Sequence, residues 1–293
     1  MPSAGVDRSS GEAMGRVEVR QLRTAREFRQ CERIQQAVWG ASSVSGEVLN
    51  VTQKYGGAVI GSLVRGRIVG FIYAFLARRH GRLIHWSHMM AVEPDFRDQG
   101  LGLRMKRVHR QLALEQGIRS ICWTYDPLQS RNAALNLARL GGRAEEYLVD
   151  AYGHFASVIE KGLPTDRFVV NWRVAAARVE ERLAGRRARA NLSLPRINET
   201  RTNADGFLEN RSLRLGRGDA RLLVQVPVNT DAMREQALPL ARRWRLEIRK
   251  VMTHYFAAGY VADDIITPSA SGDGSCYYVV RRKLPIVERW RIL

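Results

Sequence analysis

Residues 90–105 read Met90-Ala-Val-Glu-Pro-Asp-Phe-Arg97-Asp-Gln-Gly100-Leu-Gly102-Leu-Arg-Met105. The pattern is that of a buried strand, a tight turn containing Arg-x-x-Gly-x-Gly, and a helix that begins at the glycines. Glycines lack a Cβ and let a phosphate oxygen approach the main chain, and successive amides of such a turn point into one concavity. The positive end of the helix dipole adds to this attraction. The turn therefore predicts a pyrophosphate site.

Two better-known phosphate-binding patterns do not fit this turn. The dinucleotide fingerprint Gly-x-Gly-x-x-Gly follows the first strand of a βαβ unit, whereas this turn follows the fourth predicted strand. The Walker pattern is excluded because no Gly-Lys-Ser/Thr follows the turn. The remaining alternative is a strand-to-helix turn with a structural role only.

Outward from the turn, hydrophobic periodicity and turn residues predict the order β-α-α-β-β-β-α-β-α-β over residues 17–152. An antiparallel meander comes first, and crossover units that require parallel pairing follow. The strands are expected at 17–22, 58–64, 67–76, 83–92, 118–125 and 146–152, and the helices at 26–39, 47–55, 101–114 and 130–140. The fold class is therefore α/β (α+β), with a mixed central sheet flanked by helices.

Composition divides the chain into four segments. Residues 1–15 are small, polar and aperiodic, which predicts a disordered tail, and residues 16–162 form the first domain. Residues 163–221 are an arginine-rich connector in which only 173–184 is predicted as helix. The segment 222–293 is expected to be an α/β extension, with a strand, a long helix and two final strands. It either packs on the first domain or completes a degenerate second half.

The 293 residues carry a formal net charge of +18. This balance favours a polyanionic partner such as tRNA, because clustered basic residues release phosphate counterions on binding. However, 42 of the 47 basic residues are arginine, a skew that a GC-rich genome produces without selection for binding. Both interpretations of the charge stay open.

The remaining composition bears on the compartment. No apolar run approaches the ~20 residues that span a bilayer, and the first residues lack a hydrophobic signal core. Cys31, Cys122 and Cys276 lie far apart without Cys-x-x-Cys or Cys/His spacing, which excludes a disulfide scaffold and the familiar zinc motifs. We therefore expect a cytoplasmic protein without a metal site and without membrane association. Both a monomer and a homodimer stay open.

In its topological position, the turn 97–102 resembles motif A of the GNAT superfamily of acyl-CoA-dependent N-acyltransferases. The resemblance covers about residues 17–152. It includes a stretch similar to the strand-to-helix segment that follows in that family, Trp123-Thr-Tyr-Asp-Pro-Leu-Gln-Ser-Arg-Asn132-Ala-Ala-Leu-Asn-Leu-Ala-Arg-Leu-Gly141. More narrowly, the chain resembles a subgroup of predicted GNAT acetyltransferases with a long C-terminal extension.

The resemblance implies an acyl-CoA whose pantetheine arm lies in a cleft between the strands at 83–92 and 118–125. Its amides are expected to pair with main-chain groups of one strand, and Asn132 is expected to face the arm. The strand residues are Met90, Ala91 and Val92. The residues implied to hold the pyrophosphate through their amides are Arg97, Asp98, Gln99, Gly100, Leu101 and Gly102.

Transfer to an amine needs a base, because only the neutral amine attacks a thioester. His88 is the candidate, since strand alternation places it on the same face as Met90, and a hydrogen-bonded core histidine is the alternative. His85 is expected on the opposite face. Many family members place a tyrosine after the asparagine of the next helix as the acid, but here that helix has none. Tyr125 is the candidate proton donor instead, with a core tyrosine as the alternative.

The predicted function is acyl-CoA-dependent N-acyltransfer, with acetyl-CoA or another acyl-CoA as donor and an amine of a small molecule, peptide or protein as acceptor. Two alternatives remain. One is an aminoacyl-tRNA-dependent acyltransferase with a similar fold, against which the intact turn argues, since a tRNA donor does not need it. The other is an acyl-CoA-binding module without catalysis.

Overall fold

The computed structural model describes residues 17–40, 44–153, 162–272 and 274–283. The chain divides into two compact units, Met1–Ile121 and Cys122–Leu293. The predicted tail 1–15 lies outside the described residues. The architecture is mixed α/β, as the sequence predicts.

The first unit is an antiparallel meander with three helices among its described residues. Strand pairing follows chain order, β1 with β2, β2 with β3 and β3 with β4. This confirms the predicted meander. The elements are β1 (Val17–Gln21), α1 (Ala25–Trp39), α2 (Gly46–Lys54), β2 (Ala58–Val64), β3 (Arg67–Arg79), β4 (Arg82–Val92) and α3 (Leu101–Glu115).

Local signals account for these elements. Thr24 caps α1 reciprocally with Glu27, whose carboxylate accepts a hydrogen bond from the Thr24 amide at 2.9 Å. The β2–β3 hairpin turns at Arg65 and Gly66, with φ of 49° and 76°. Positive φ at both central residues is what a type I′ turn requires, and its twist matches that of the flanking strands.

The two faces of this sheet bury different cores. Phe71 and Tyr73 of β3 face α1 and α2 and pack with Phe28 and Leu49. Ile72 and Ala74 point the other way and pack with Met105 of α3 and its neighbours. Because side chains alternate along a strand, β3 is apolar on both faces and is covered on both.

The second unit contains the remaining elements. Its strand order is β5-β7-β6-β11-β12-β10, with β8 and β9 forming a separate hairpin. The pairs β6–β7, β6–β11, β11–β12 and β10–β12 are antiparallel. The elements are β5 (Ser120–Tyr125), α4 (Ser130–Ala133) with a π-helical segment (Ala134–Arg139), β6 (Arg143–Leu148), β7 (Arg167–Arg173), α5 (Ala177–Leu183), β8 (Asn198–Thr202), β9 (Leu208–Leu213), β10 (Arg221–Val226), α6 (Asp231–Gln236), α7 (Leu238–Ala257), β11 (Tyr260–Ile266), α8 (Pro268–Ser271) and β12 (Cys276–Arg282).

Strand β7 corrects the expected pairing. The sequence-based prediction contains no strand there, yet Phe168, Val169, Val170 and Trp172 are almost fully buried. Because β7 lies between β5 and β6, the chain does not return from α4 to pair β6 directly with β5. Strand β6 also begins three residues earlier than predicted, at Arg143.

The connector is also more ordered than predicted. Residues 185–221 contain the β8–β9 hairpin, whose polar sequences lack the apolar alternation that would identify strands. The long helix expected near 230–257 is two helices, α6 and α7. The break is at Ala237, where φ is −143° and ψ is 55°. Proline at position 239 explains it, because proline lacks an amide hydrogen and its ring clashes with the carbonyl four residues earlier, so α6 cannot continue through it, whereas the first turn of a new helix accepts it.

In the described part of the chain, no helix combines the length and apolar character needed to cross a membrane. Within the same residues, no group of three or more His, Cys, Asp or Glu side chains is placed to hold a metal ion.

Candidate functional site

The glycine turn is an uncapped helix start with two residues in the left-handed conformation. After β4 and a 3-10 turn at Pro94–Phe96, Asp98 and Gly100 adopt φ of 63° and 76°. The first hydrogen bond of α3 runs from the Arg104 amide to the Gly100 carbonyl at 3.1 Å. The amides of Leu101, Gly102 and Leu103 therefore have no partner within the helix. No side chain caps α3.

The space beside Gly100 is open. A Cβ on Gly100 would meet nothing within 4 Å. Arg97 is exposed and its Nε donates to the Val92 carbonyl at 3.1 Å, while Gln99 Nε2 donates to the Asp95 carbonyl at 3.1 Å. The structure thus brings the predicted turn residues together around one helix N-terminus, an arrangement suited to an anion.

His88 is the extra residue of a β-bulge in β4. Tyr73 pairs with Met89 and Ala74 pairs with Ser87, so His88 has no partner on β3. A bulge bends the strand and redirects side chains, and bulges are frequent beside active sites. The sequence shows no sign of it, because no glycine or proline marks the position.

The bulge overturns the predicted alternation around His88. The imidazole packs against Tyr73 and Phe75, with ring centroids 6.1 and 6.0 Å away, on the side of α1 and α2. Met90 instead packs toward α3. His88 and Met90 therefore lie on opposite faces. The imidazole is exposed, but partial burial against the two rings lowers the pKa of His88. The ring is therefore neutral at pH 7, as a proton acceptor must be.

The predicted pantetheine contacts Met90, Ala91 and Val92 do not all direct their main-chain groups to the same edge of β4. The Glu93 amide donates to the Val69 carbonyl at 2.9 Å, and the register continues with Ala91 opposite Phe71. Because main-chain groups alternate in an antiparallel ladder, Ala91 faces β3. Met90 and Val92 direct their amides and carbonyls to the other edge of β4.

A buried polar network lies between β4 and α3, and no motif in the sequence marks it. His85 Nε2 donates to the Gly56 carbonyl at 2.9 Å, so its Nδ1 accepts from His109 Nε2 at 3.0 Å. His109 Nδ1 is then a buried acceptor without a partner among the described residues. Beside this pair, Lys106 Nζ donates to Ser87 Oγ at 3.1 Å. His85 thus lies on the face opposite His88, as predicted.

Lys106 makes folding stability depend on pH. Burial lowers its pKa from 10.5 to about 7. Above pH 7 the folded state releases this proton while the unfolded chain keeps it, so stability rises with pH by up to ~1.4 kcal/mol per pH unit. We expect Lys106→Met to lack this rise. Denaturant unfolding of both proteins at pH 7.5 and 9 measures the difference, and parallel pH profiles would contradict it.

In the second unit, Tyr125 is a core residue. Its hydroxyl lies 3.4 Å from that of Tyr278, which itself donates to the Pro127 carbonyl at 2.7 Å. Its ring packs edge-on against Phe168 at 5.6 Å, and burial raises the pKa of Tyr125. These contacts fit the alternative interpretation, a core tyrosine, better than a proton donor.

Asn132 lies on α4, where its side chain is exposed. The helix continues as a π-helical segment, in which the Leu140 amide donates to the Leu135 carbonyl at 2.9 Å. It ends at Gly141, with φ of 75°. Such π segments are frequent at functional sites.

Asp126, at the end of β5, is held within the second unit. It accepts two hydrogen bonds of 2.6 Å from the buried guanidinium of Arg245 and one of 2.8 Å from the Leu128 amide. Arg245 holds the pKa of Asp126 below its usual value, although burial alone would raise it. Both carboxylate oxygens are thus engaged in structural contacts.

Comparison with protein-family models gives a match to part of the chain. Residues 20–141 match the model of the acetyltransferase (GNAT) family. No curated protein matches the chain significantly.

Solved structures provide weaker likenesses. The chain is similar to the ribosomal-protein-S18-alanine N-acetyltransferase from Escherichia coli, with 15% identity, a TM-score of 0.44, and coverage of 55% of this chain and 96% of that chain. It is also similar to an acetyltransferase of the GNAT family from Streptococcus pneumoniae, with 12% identity, a TM-score of 0.44, and coverage of 53% of this chain and 98% of that chain. A third similar structure is an aminoglycoside acetyltransferase from an uncultured soil metagenomic sample, with 18% identity, a TM-score of 0.36, and coverage of 40% of this chain and 82% of that chain.

Proposed function

We propose that this protein, whose residues 20–141 match the model of the acetyltransferase (GNAT) family, transfers an acyl group, with acetyl-CoA as donor, to an amine of a small molecule or a peptide. The observation that carries the proposal is the uncapped start of α3, where the amides of Leu101, Gly102 and Leu103 have no partner within the helix.

The turn would hold the pyrophosphate. Main-chain amides from Arg97 to Gly102 and the positive end of α3 favour a doubly charged diphosphate ester. Gly100 leaves room for the phosphate oxygens, because no side chain projects from it and the surrounding space is open.

Strand β4 would bind the pantetheine arm as a neighbouring strand does. Met90 and Val92 direct main-chain groups to the edge away from β3, which supports their role, whereas Ala91 faces β3. Asn132 stays a predicted contact of the arm, and its side chain is exposed on α4.

His88 would act as the base. Acetyl-CoA supplies an activated thioester. The amine nitrogen forms a bond to its carbonyl carbon, the carbon–sulfur bond breaks, and the sulfur leaves with the electron pair. His88 accepts the proton that the amine loses, since its lowered pKa keeps the ring neutral at pH 7. Tyr125 is not assigned the role of general acid, because its hydroxyl is hydrogen-bonded within a core.

Calorimetric titration of acetyl-CoA, desulfo-CoA and longer acyl-CoAs tests the donor. We expect micromolar binding of acetyl-CoA, followed by thiol release when an amine from a panel of peptides and small molecules is added. Absence of binding heat would contradict the proposal. Binding without turnover on any amine would favour the alternative of a non-catalytic acyl-CoA-binding module.

A further inference from the structure

A small cavity in the second unit is lined by four arginines and one aspartate. Its volume is about 50 Å³, and its lining includes Arg182, Arg187, Arg189, Arg221 and Asp264. One water needs ~10–15 Å³ by the same measure. The cavity therefore has room for a group of several heavy atoms, such as a phosphate.

One wall of the cavity is a face of the sheet. Arg221 of β10 lies two residues from Leu223, which pairs with Val279 of β12, and Val279 pairs with Asp264 of β11. Since paired residues share a face and side chains alternate, Arg221, Val279 and Asp264 lie on the same face. The segment 187–194 covers it, because Ala190, Leu192 and Leu194 pack on the apolar cluster that contains Leu223 and Val279.

The positive charge at this cavity is not balanced by the chain. Asp264 is engaged by Arg182 in an ion pair and lies 3.8 Å from Arg178. Among the described residues, Arg187, Arg189 and Arg221 form no ion pair with an acidic side chain. The lining thus carries an excess of positive charge beside a buried ion pair.

Arg221 also lies directly opposite another arginine. Its partner across β10 and β12 is Arg281, which shares the single carboxylate of Asp263 (3.1 Å) with Arg143 (2.7 Å) and is therefore not fully neutralised. Like charges directly opposite each other destabilise a strand pair. An anion beside Arg221 would relieve this repulsion, so the strand pairing favours a bound anion whatever the size of the cavity.

We propose that this cavity binds a phosphate group, either free or as the monoester of a small molecule. The planar fork of each arginine matches phosphate oxygens and can form two parallel hydrogen bonds. A phosphate dianion balances the unpaired arginines better than a carboxylate, which carries one charge. The proposal is independent of acyl transfer, since every lining residue lies in the second unit, and all but Ala138 lie outside the segment 20–141.

Titration calorimetry at constant ionic strength tests the site, with inorganic phosphate, ribose 5-phosphate and acetate as probes. Saturable binding of phosphate with weaker binding of acetate is expected. The variants are Arg187→Gln/Arg189→Gln and Arg221→Gln, and each should weaken phosphate binding by at least ~10-fold, since charge-assisted hydrogen bonds are lost. The control is Arg242→Gln, which removes an exposed arginine outside the cavity lining.

The relative affinities of the three probes distinguish the possible ligands. Tighter binding of ribose 5-phosphate than of inorganic phosphate identifies a monoester ligand, and equal binding identifies free phosphate. Absence of binding in the wild type, equal binding of acetate, or equal losses in the Arg242→Gln control would overturn the proposal. A Gly100→Asp variant should retain phosphate binding at this cavity, which distinguishes it from the acyl-CoA site. The double variant changes two exposed side chains, so it remains informative if Arg221→Gln fails to fold.

Discussion

Gly100→Asp is expected to abolish acetyl-CoA binding. The substitution places a carboxylate where the amides that start α3 would hold the pyrophosphate, and its charge repels the diphosphate. Loss of at least ~100-fold in affinity corresponds to about 2.8 kcal/mol, at about 1.4 kcal/mol for each tenfold change. Calorimetric titration of acetyl-CoA into both proteins measures this loss.

Gly66→Asp is the matched control. Gly66 has the same φ of 76°, and a Cβ added there would also meet nothing within 4 Å, but it lies in the β2–β3 hairpin. Both variants therefore carry the same backbone strain and the same added charge. Equal affinity of the Gly100→Asp variant and the wild type would remove the basis for the acyl-CoA site.

His88→Asn is expected to lower turnover by ~10²- to 10⁴-fold, the usual contribution of a positioned base. Affinity for acetyl-CoA should stay unchanged, because the proposed pyrophosphate site is the turn at 97–102, which does not include His88. In the wild type, kcat/KM should rise with pH until His88 is deprotonated. Since burial lowers its pKa, this rise should be complete below neutrality, and the variant should lack it. Initial rates across pH 5 to 8 on an amine that the wild type acetylates provide the measurement.

His80→Asn is the matched control, since His80 is an exposed histidine in the turn between β3 and β4, with φ of 48°. Asparagine tolerates that conformation. Its turnover should equal that of the wild type. Unaltered turnover and an unaltered pH profile in the His88→Asn variant would exclude His88 as the base.

Local signals predict most of the first unit from the sequence. The Thr24–Glu27 capping box, the Arg65-Gly66 hairpin and the glycines before α3 each act over a few residues. Their effect depends on hydrogen bonds and steric limits close along the chain, so the amino-acid sequence contains the information. The same holds for the helix end at Gly141.

Long-range contacts are harder to predict. Strand β7 is a short apolar run after a Gly-Leu-Pro sequence, and only its position between β5 and β6 explains why it is buried. The β8–β9 hairpin is polar, and its composition alone predicts a connector. Strand β7 forms because it pairs with strands that lie elsewhere along the chain. Strands β8 and β9 form because they pair with each other, although neither has an apolar pattern.

The sequence therefore predicts the residue types of the candidate site, but it does not predict the directions in which their side chains point. The sequence identifies the turn at 97–102 and the histidine at position 88, because glycine spacing and residue chemistry are local properties. The bulge that moves His88 to the face opposite Met90 depends on how β4 pairs with β3. The buried hydrogen bond from Lys106 to Ser87 joins α3 to β4, and the cavity beside Arg221 depends on the segment 187–194 that covers the sheet. Each of these features arises from contacts between residues distant in the chain, and only tertiary packing brings them together.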